Sequence, residues 1–343
     1  MKHVLFITRK LRGRGGMQQY TQDIWRGLQE IFGDGAKVLG PRTRMGLIVF
    51  PFIAFFKGVR AGHRGTAIHL GDAALAPLAP LIKLFAPKAH ITATACGLDV
   101  IYSPRLYQWL LKKSFSSLDK IVCISHATAE AVRTRGVSNK KIVVIPCGVW
   151  MDEEVTPRVG ERREGPHLLT IGRLVPRKGV SWFVSEVIPL LMDEYPDLKY
   201  SIVGTGSEEG LIKKLVQEKG LTEGLELKSF IEDEERNKII NTADMLVVPN
   251  VLVEGDMEGF GIVCIEASSR GVPVVAARLE GLEDAVVENE TGLFFESKNP
   301  EDCASAIRKM INDPLDPSSI IQATRAQYSW NHLLTRYRDE VFS

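Results

Sequence analysis

A chain of 343 residues with 45% hydrophobic and 25% charged residues has the make-up of a globular protein, which excludes a collagen-like or largely disordered chain. At roughly 100–200 residues per domain the length predicts two domains, each able to bury its own core. The formal net charge of +1 is unevenly spread: residues 1–150 hold 22 Lys/Arg against 7 Asp/Glu, whereas residues 151–343 hold 21 against 35. A basic half attracts anions such as acidic lipid headgroups or phosphorylated substrates. Nucleic acid is not expected as a partner, because no recognised motif is present and aromatic residues are not interleaved with the basic ones. The five cysteines (Cys96, Cys123, Cys147, Cys264 and Cys303) form no CxxC pair. They fit reduced thiols in the cytoplasm and suggest neither a zinc framework nor any other metal site.

The opening MKHVLFITRKLRGRGG has an apolar run too short for a signal sequence or a membrane span, so it reads as a first buried strand. Similar short runs recur, each followed by a turn residue and a helix-like stretch. In the first half they are His3–Thr8, Ala67–Leu70, His90–Ala95, Lys120–Ile124 and Lys141–Pro146. In the second half they are His167–Ile171, Lys199–Val203, Leu225–Phe230, Met245–Pro249 and Pro273–Ala276. This alternation predicts an α/β protein of two doubly wound domains, each a parallel sheet covered on both faces. The charged, Gly- and Pro-interrupted stretch 148–166 marks the join, giving domains 1–150 and 151–327. Residues 328–343 read as a final helix capped near Ser329. One segment breaks the pattern: Met45–Val59 (MGLIVFPFIAFFKGV), interrupted by Pro51 and flanked by Arg42, Arg44, Arg60 and Arg64. It reads either as a core helix or as an interfacial one, with aromatic residues in lipid and arginines on headgroup phosphates.

Three constellations carry chemistry. Gly15-Gly16, between the first strand and a helix beginning near Met17, lets backbone amides approach an anion at a helix N-terminus. Neither this loop nor GTGSEEG (204–210) has the GxGxxG spacing of a dinucleotide site, which weakens a nicotinamide enzyme. In IGRLVPRKG (171–179), Arg173 and Lys178 follow the end of a strand, where ligands bind in open α/β sheets. A forked donor and a point charge suit a diphosphate, and a solvated basic turn is the alternative. In EGDMEGFGIVCIEASSRGVPVVA (254–276), Glu258 precedes the turn Gly259-Phe260-Gly261, and Ile262 opens a helix bearing Glu266. Glu266 could accept hydrogen bonds from ribose hydroxyls. Glu258 would lie nearer a reacting centre, suiting a sugar whose anomeric carbon gains positive charge as its phosphate leaves.

The order GG…CGLDV…SHATAEAV…IPCGV…GRLVPRKG…GTG…EGFGIVCIEASSRGVPVV…ETGLF resembles the retaining glycosyltransferases of family 4 over nearly the whole chain. The resemblance implies the GT-B arrangement of two facing Rossmann-like domains, with the closing helix crossing back to the first. It implies a nucleotide-diphosphate sugar held mainly by the C-terminal half, an acceptor held by the N-terminal half, and metal-independent transfer with retained anomeric configuration. Arg173 and Lys178 would then neutralise the diphosphate and Glu266 would bind the ribose. Glu258, with the amides of Phe260, Gly261 and Ile262, would hold the sugar, and Gly15 and Gly16 would let the first loop reach the donor phosphates.

The chain departs from the family at Cys96-Gly97-Leu98-Asp99, where members commonly have His-Gly-x-Asp. Three explanations are open. The diphosphate cations supply most of the catalysis; or Asp99 or His126 takes part of the role; or the protein is a catalytically impaired binding or regulatory module. The expected function is hexosyl transfer to a glycan or lipid-linked acceptor in cell-surface polysaccharide or lipopolysaccharide synthesis, with a UDP-sugar preferred over GDP-mannose as donor. The expected location is the cytoplasm, with peripheral contact at the anionic inner face of the plasma membrane.

Overall fold

The computed structural model describes residues 1–11, 13, 15–41, 46–152, 165–229 and 232–343. Among them twelve strands form two six-stranded sheets, parallel in every pairing. The first sheet contains β1 (Val4–Ile7), β2 (Ala36–Leu39), β3 (Ala67–Leu70), β4 (Ile91–Ala95), β5 (Lys120–Cys123) and β6 (Ile142–Val144), in the order β2-β1-β3-β4-β5-β6. The second contains β7 (His167–Ile171), β8 (Lys199–Val203), β9 (Leu225–Lys228), β10 (Met245–Val248), β11 (Val274–Ala277) and β12 (Gly292–Phe295), in the order β12-β11-β10-β7-β8-β9. By contacts the chain divides into one unit of Met1–Gly148 with Trp330–Ser343 and another of Val149–Ser329.

The strands β1, β3, β4 and β10 are buried along their whole length, as parallel strands covered on both faces require. Among their polar residues is His69 on β3. Its two ring nitrogens meet the hydroxyls of Thr92 and Thr94 at 2.8 and 3.1 Å, and burial drives its pKa down to about 3. It is therefore a neutral core imidazole, matched on both sides. The strands absent from the sequence reading are β2 and β12, each at a sheet edge. β2 is only half-buried, so its four residues lack the continuous apolar signature of a central strand.

The closing helix begins after Ser329, as its sequence suggests. Pro317–Tyr328 ends at Ser329, and a new helix, Trp330–Arg336, begins in the first unit and continues as the wider turn Tyr337–Val341. Trp330 is fully buried there, with its ring 6.2 Å from that of Tyr20. The Tyr20 and Tyr337 hydroxyls meet at 2.9 Å, and Arg336 donates to the Val144 carbonyl at 2.9 Å.

The helix Gly46–His63 runs past the expected C-terminal limit at Val59, and Pro51 lies inside it. Pro51 therefore does not interrupt the segment. It sits in the second turn, where it removes a single backbone donor. Met45, Arg42, Arg44 and most of the charged join (153–164) lie outside the described residues.

Candidate active site

In the second unit β7 and β10 lie side by side, with β8 continuing on one flank and β11 on the other. Where the winding reverses in this way, a crevice opens at the carboxyl ends of the strands, and ligands of open α/β sheets bind there. It is lined by residues 170–174 and Lys178 on one side and 247–250 on the other.

Local backbone geometry holds the two sides together. The turn Pro176–Lys178 ends at Gly179 with φ 63°, and a Cβ there would stand 1.9 Å from the Pro249 carbonyl oxygen. Only glycine permits both the left-handed conformation and this approach. The Val251 amide then donates to the Arg177 carbonyl at 2.9 Å.

The result is a cation pair closed on one carboxylate. Arg177 is 4% exposed, with Nη1 2.5 Å from Glu258 Oε2 and Nε 3.1 Å from Asp256 Oδ1. Lys178 Nζ donates to the same Glu258 oxygen, and Asn250 Nδ2 donates to it at 2.9 Å. Burial alone would raise the Glu258 pKa, but Lys178 and then Arg177 outweigh it and hold the carboxyl at about 2. The Glu258 amide donates to Glu280 Oε2 at 2.6 Å, which fixes the segment from below. Asn250 Oδ1 is buried with no partner among the described residues. A buried acceptor left open is costly unless something fills it, so it is available to a hydroxyl.

Sequence reasoning found Lys178 and Glu258 but not Arg177 or Asn250. Arg173, the cation named from the sequence, is exposed at the rim of the crevice and makes no ion pair among the described residues. Arg173 and Arg177 are four residues apart, and only the backbone path decides which one is buried.

Glu266 lies on the helix Ile262–Ser268, ion-paired with Arg236 of the helix Asp233–Thr242. Thirty residues separate the partners, so no local pattern joins them. Phe260 is buried, with its ring 6.1 Å from that of Tyr328. Gly261 has φ 92°, and a Cβ there would come 2.6 Å from Leu282 Cδ2, so the turn into the helix needs a glycine. The amides of Ile262 and Val263 have no acceptor within the helix, whereas that of Cys264 donates to the Gly261 carbonyl at 2.9 Å.

In the first unit the switch point lies between β1 and β3. Arg9, beyond β1, binds buried Asp72, beyond β3, through two nitrogens at 2.9 and 3.2 Å. Gly15 precedes the helix Gly16–Phe32, and its carbonyl accepts the amides of Gln18 and Gln19, each at 3.0 Å. Asp99 accepts the Cys96 and Ala73 amides, each at 2.8 Å, and so fastens the loops after β3 and β4 together. Burial is the main cause of its pKa rising to about 6.

Cys96 is buried, and desolvation followed by Asp99 and Asp72 pushes its thiol well above the ordinary value. A protonated thiol is a poor nucleophile. His126 is exposed in the first turn of the helix His126–Arg133, whose cap is the Ser125 hydroxyl accepting the Thr128 amide at 3.0 Å. All five cysteines are buried thiols. Among the described residues no group of three or more His, Cys, Asp or Glu is placed to hold a metal ion.

Two doubly wound units of six parallel strands each, the second with a cation-lined crevice at its switch point, are the parts of a GT-B fold. The profile of the family described as "Glycosyl transferases group 1" matches residues 152–327, and that described as "Glycosyltransferase Family 4" matches residues 14–153. The chain belongs to this family of glycosyltransferases and is an enzyme of the hexosyltransferase kind.

It is 28% identical over 273 residues to a phosphatidyl-myo-inositol mannosyltransferase of Propionibacterium freudenreichii, an alignment covering 77% of this chain and 66% of that protein. It is 27% identical over 336 residues to the GDP-mannose-dependent alpha-(1-6)-phosphatidylinositol monomannoside mannosyltransferase of Mycolicibacterium smegmatis, covering 88% and 87%. Among solved structures it resembles the lipopolysaccharide outer core galactosyltransferase WaaB, with TM-score 0.75 and 16% identity over 99% of both chains. Anabaena HepE in complex with UDP gives 0.75 and 15% over 98% of both. The fold is thus GT-B.

Proposed function

We propose that this protein moves a hexosyl group from a nucleotide-diphosphate sugar to a glycan or lipid-linked acceptor of the cell surface, with retained configuration and without a metal. The observation that carries the reading is the pair Arg177 and Lys178, held with Glu258 and Asn250 in the crevice between β7 and β10. When the bond between the anomeric carbon and the diphosphate breaks, its electron pair goes to a phosphate oxygen. The acceptor hydroxyl oxygen bonds to that carbon, and its proton passes to the released phosphate. Fixed cations aimed at the departing oxygen stabilise the charge that develops on it.

In this reading Lys178 swings a donor hydrogen from Glu258 to the diphosphate, and rim-exposed Arg173 adds a second contact. Arg177 stays with Glu258 as its counter-ion. Glu258, Asn250 Oδ1 and the amides of Phe260, Gly261 and Ile262 receive the sugar. Glu266 receives the ribose, and the Gly15-Gly16 loop approaches the donor phosphates. The N-terminal unit takes the acceptor on the cytoplasmic side of the membrane.

For the donor, the mannosyltransferase alignments have higher identity than those to the UDP-bound structures, which favours GDP-mannose. UDP-hexoses, the choice from sequence alone, are its direct competitors. A thermal-shift panel of GDP-mannose, UDP-glucose and UDP-galactose tests the reading, since a ligand bound only by the folded state raises Tm. One donor is expected to raise Tm, and Lys178→Ala to lower transfer by about 10²–10³-fold. No shift with any nucleotide sugar, or full transfer by the variant, would remove the reading.

A further inference from the structure

Three helices of the first unit leave large apolar side chains in solvent on neighbouring faces. On Gly46–His63, Phe50 and Ala54 turn into the core, whereas Phe52 and Phe56 are 67% and 68% exposed. The helix Leu78–Phe85 packs alongside, with the Phe55 and Phe85 rings edge to face at 5.6 Å, and leaves Leu84 72% exposed. Next to it, Arg105–Phe115 exposes Leu106 and Trp109, the latter by 58%. Aromatic and aliphatic side chains gathered in this way are uncommon on a monomer surface that binds nothing.

The charged side chains on the three helices themselves are all basic, and the partly exposed Asp119, just past the third, is paired with Lys83 at 2.8 Å. Lys57 and Arg60 continue the helical stripe one turn beyond Ile53 and Phe56, and Lys112 and Lys113 follow Trp109 by one turn. From residue 46 to residue 118 the sequence has no carboxylates but Asp72 and Asp99. Asp72 is buried against Arg9, and Asp99 is tied to two backbone amides. Neither is exposed beside the apolar face.

We propose that this three-helix face docks on an anionic phospholipid bilayer. Its phenylalanine, leucine and tryptophan side chains enter the acyl boundary, and its lysines and arginines meet headgroup phosphates. A second copy is a poorer occupant, because a two-fold contact sets three helices that carry only basic charges against themselves. Among the described residues no helix is long and apolar enough to cross a membrane, so the contact is lateral. The surface deepens the reading of a lipid-linked acceptor, and it can be tested without any donor.

The test floats the full chain with phosphatidylcholine vesicles and with vesicles containing about one third phosphatidylglycerol. About tenfold or more protein is expected on the anionic vesicles, falling severalfold when salt is raised from ~0.1 to ~0.5 M. The triple variant Phe52→Ser/Phe56→Ser/Trp109→Ser is expected to lose flotation at both salts. Lys112→Glu/Lys113→Glu should lose the preference for anionic lipid. Both variants should keep the wild-type circular dichroism and nucleotide-sugar thermal shift.

Failure of the wild type to float on anionic vesicles overturns the proposal. So does a solution dimer abolished by the triple variant, which would make a second copy the occupant. Flotation without any nucleotide-sugar shift would instead refute the transfer reading and leave this surface standing.

Discussion

The two units invert their charges between surface and crevice. The basic half, with 22 Lys/Arg to 7 Asp/Glu, places carboxylates at the carboxyl ends of its strands: Asp72 on Arg9, and Asp99 on two amides. The acidic half, with 21 to 35, places Arg177 and Lys178 in the corresponding position on Glu258. Net charge therefore describes what a unit shows to solvent, and says little about what its crevice will bind. The crevice charge is fixed by a few buried groups, each requiring a partner, and their energetics are the larger.

The comparison makes Arg177→Ala the most damaging change. It leaves Glu258 and Asp256 short of a counter-charge in a buried position, and should destabilise by about 3–5 kcal/mol in chemical denaturation. Arg173→Ala, at the exposed rim, should stay within ~0.5 kcal/mol while weakening the nucleotide-sugar thermal shift. Equal stability losses would show that exposure does not separate the two cations.

That pair also shows what the sequence could reveal. The strand positions that order the sheets were legible because central parallel strands are unbroken apolar runs, as in VVAA and MLVV. The edges β2 and β12 were not, since four half-covered or glycine-led residues carry too little signal. Lys178 and Glu258 stood out because glycines bracket them. Arg177 did not, because its inward turn depends on Gly179 meeting Pro249 some seventy residues away, a tertiary fact. The exposed face of Leu78–Phe85 and Arg105–Phe115 was hidden for a related reason. Apolar residues at helical spacing read as core, and periodicity does not tell which stripe finds a neighbour.

Gly179→Ala tests the contact directly. Left-handed strain alone costs about 1–2 kcal/mol, and the Cβ collision with the Pro249 carbonyl adds to it. Both stability and transfer should fall, since the approach that aligns Lys178 with Asn250 is lost. A variant with native stability and activity would mean that the two strand ends tolerate separation.

In the first unit Cys96→His introduces a larger ring at a buried site, at a cost of about 1–3 kcal/mol from overpacking. If the cations of the second unit supply most of the catalysis, as proposed, a small change in turnover accompanies that loss. A rise in turnover from near zero would instead make the family's histidine the missing catalytic part.

The response to acid is the most diagnostic, because the two crevices should respond in opposite directions. Glu258 is lowered from 4.5 to about 2 in the folded chain, so its stabilising contribution is full above 4.5 and is lost as pH falls toward 2. Asp99 is raised from 3.8 to about 6, so folding favours its protonated form; its contribution is full below 3.8 and is lost as pH rises through 6. Between pH 7 and 5 amide exchange in the first unit should therefore slow relative to an Asp99→Asn variant. Below pH 4.5 exchange in the second unit should accelerate relative to Glu258→Gln. The same sign in both units would mean that the carboxylates share one environment, and the charge inversion between the crevices would have no energetic counterpart.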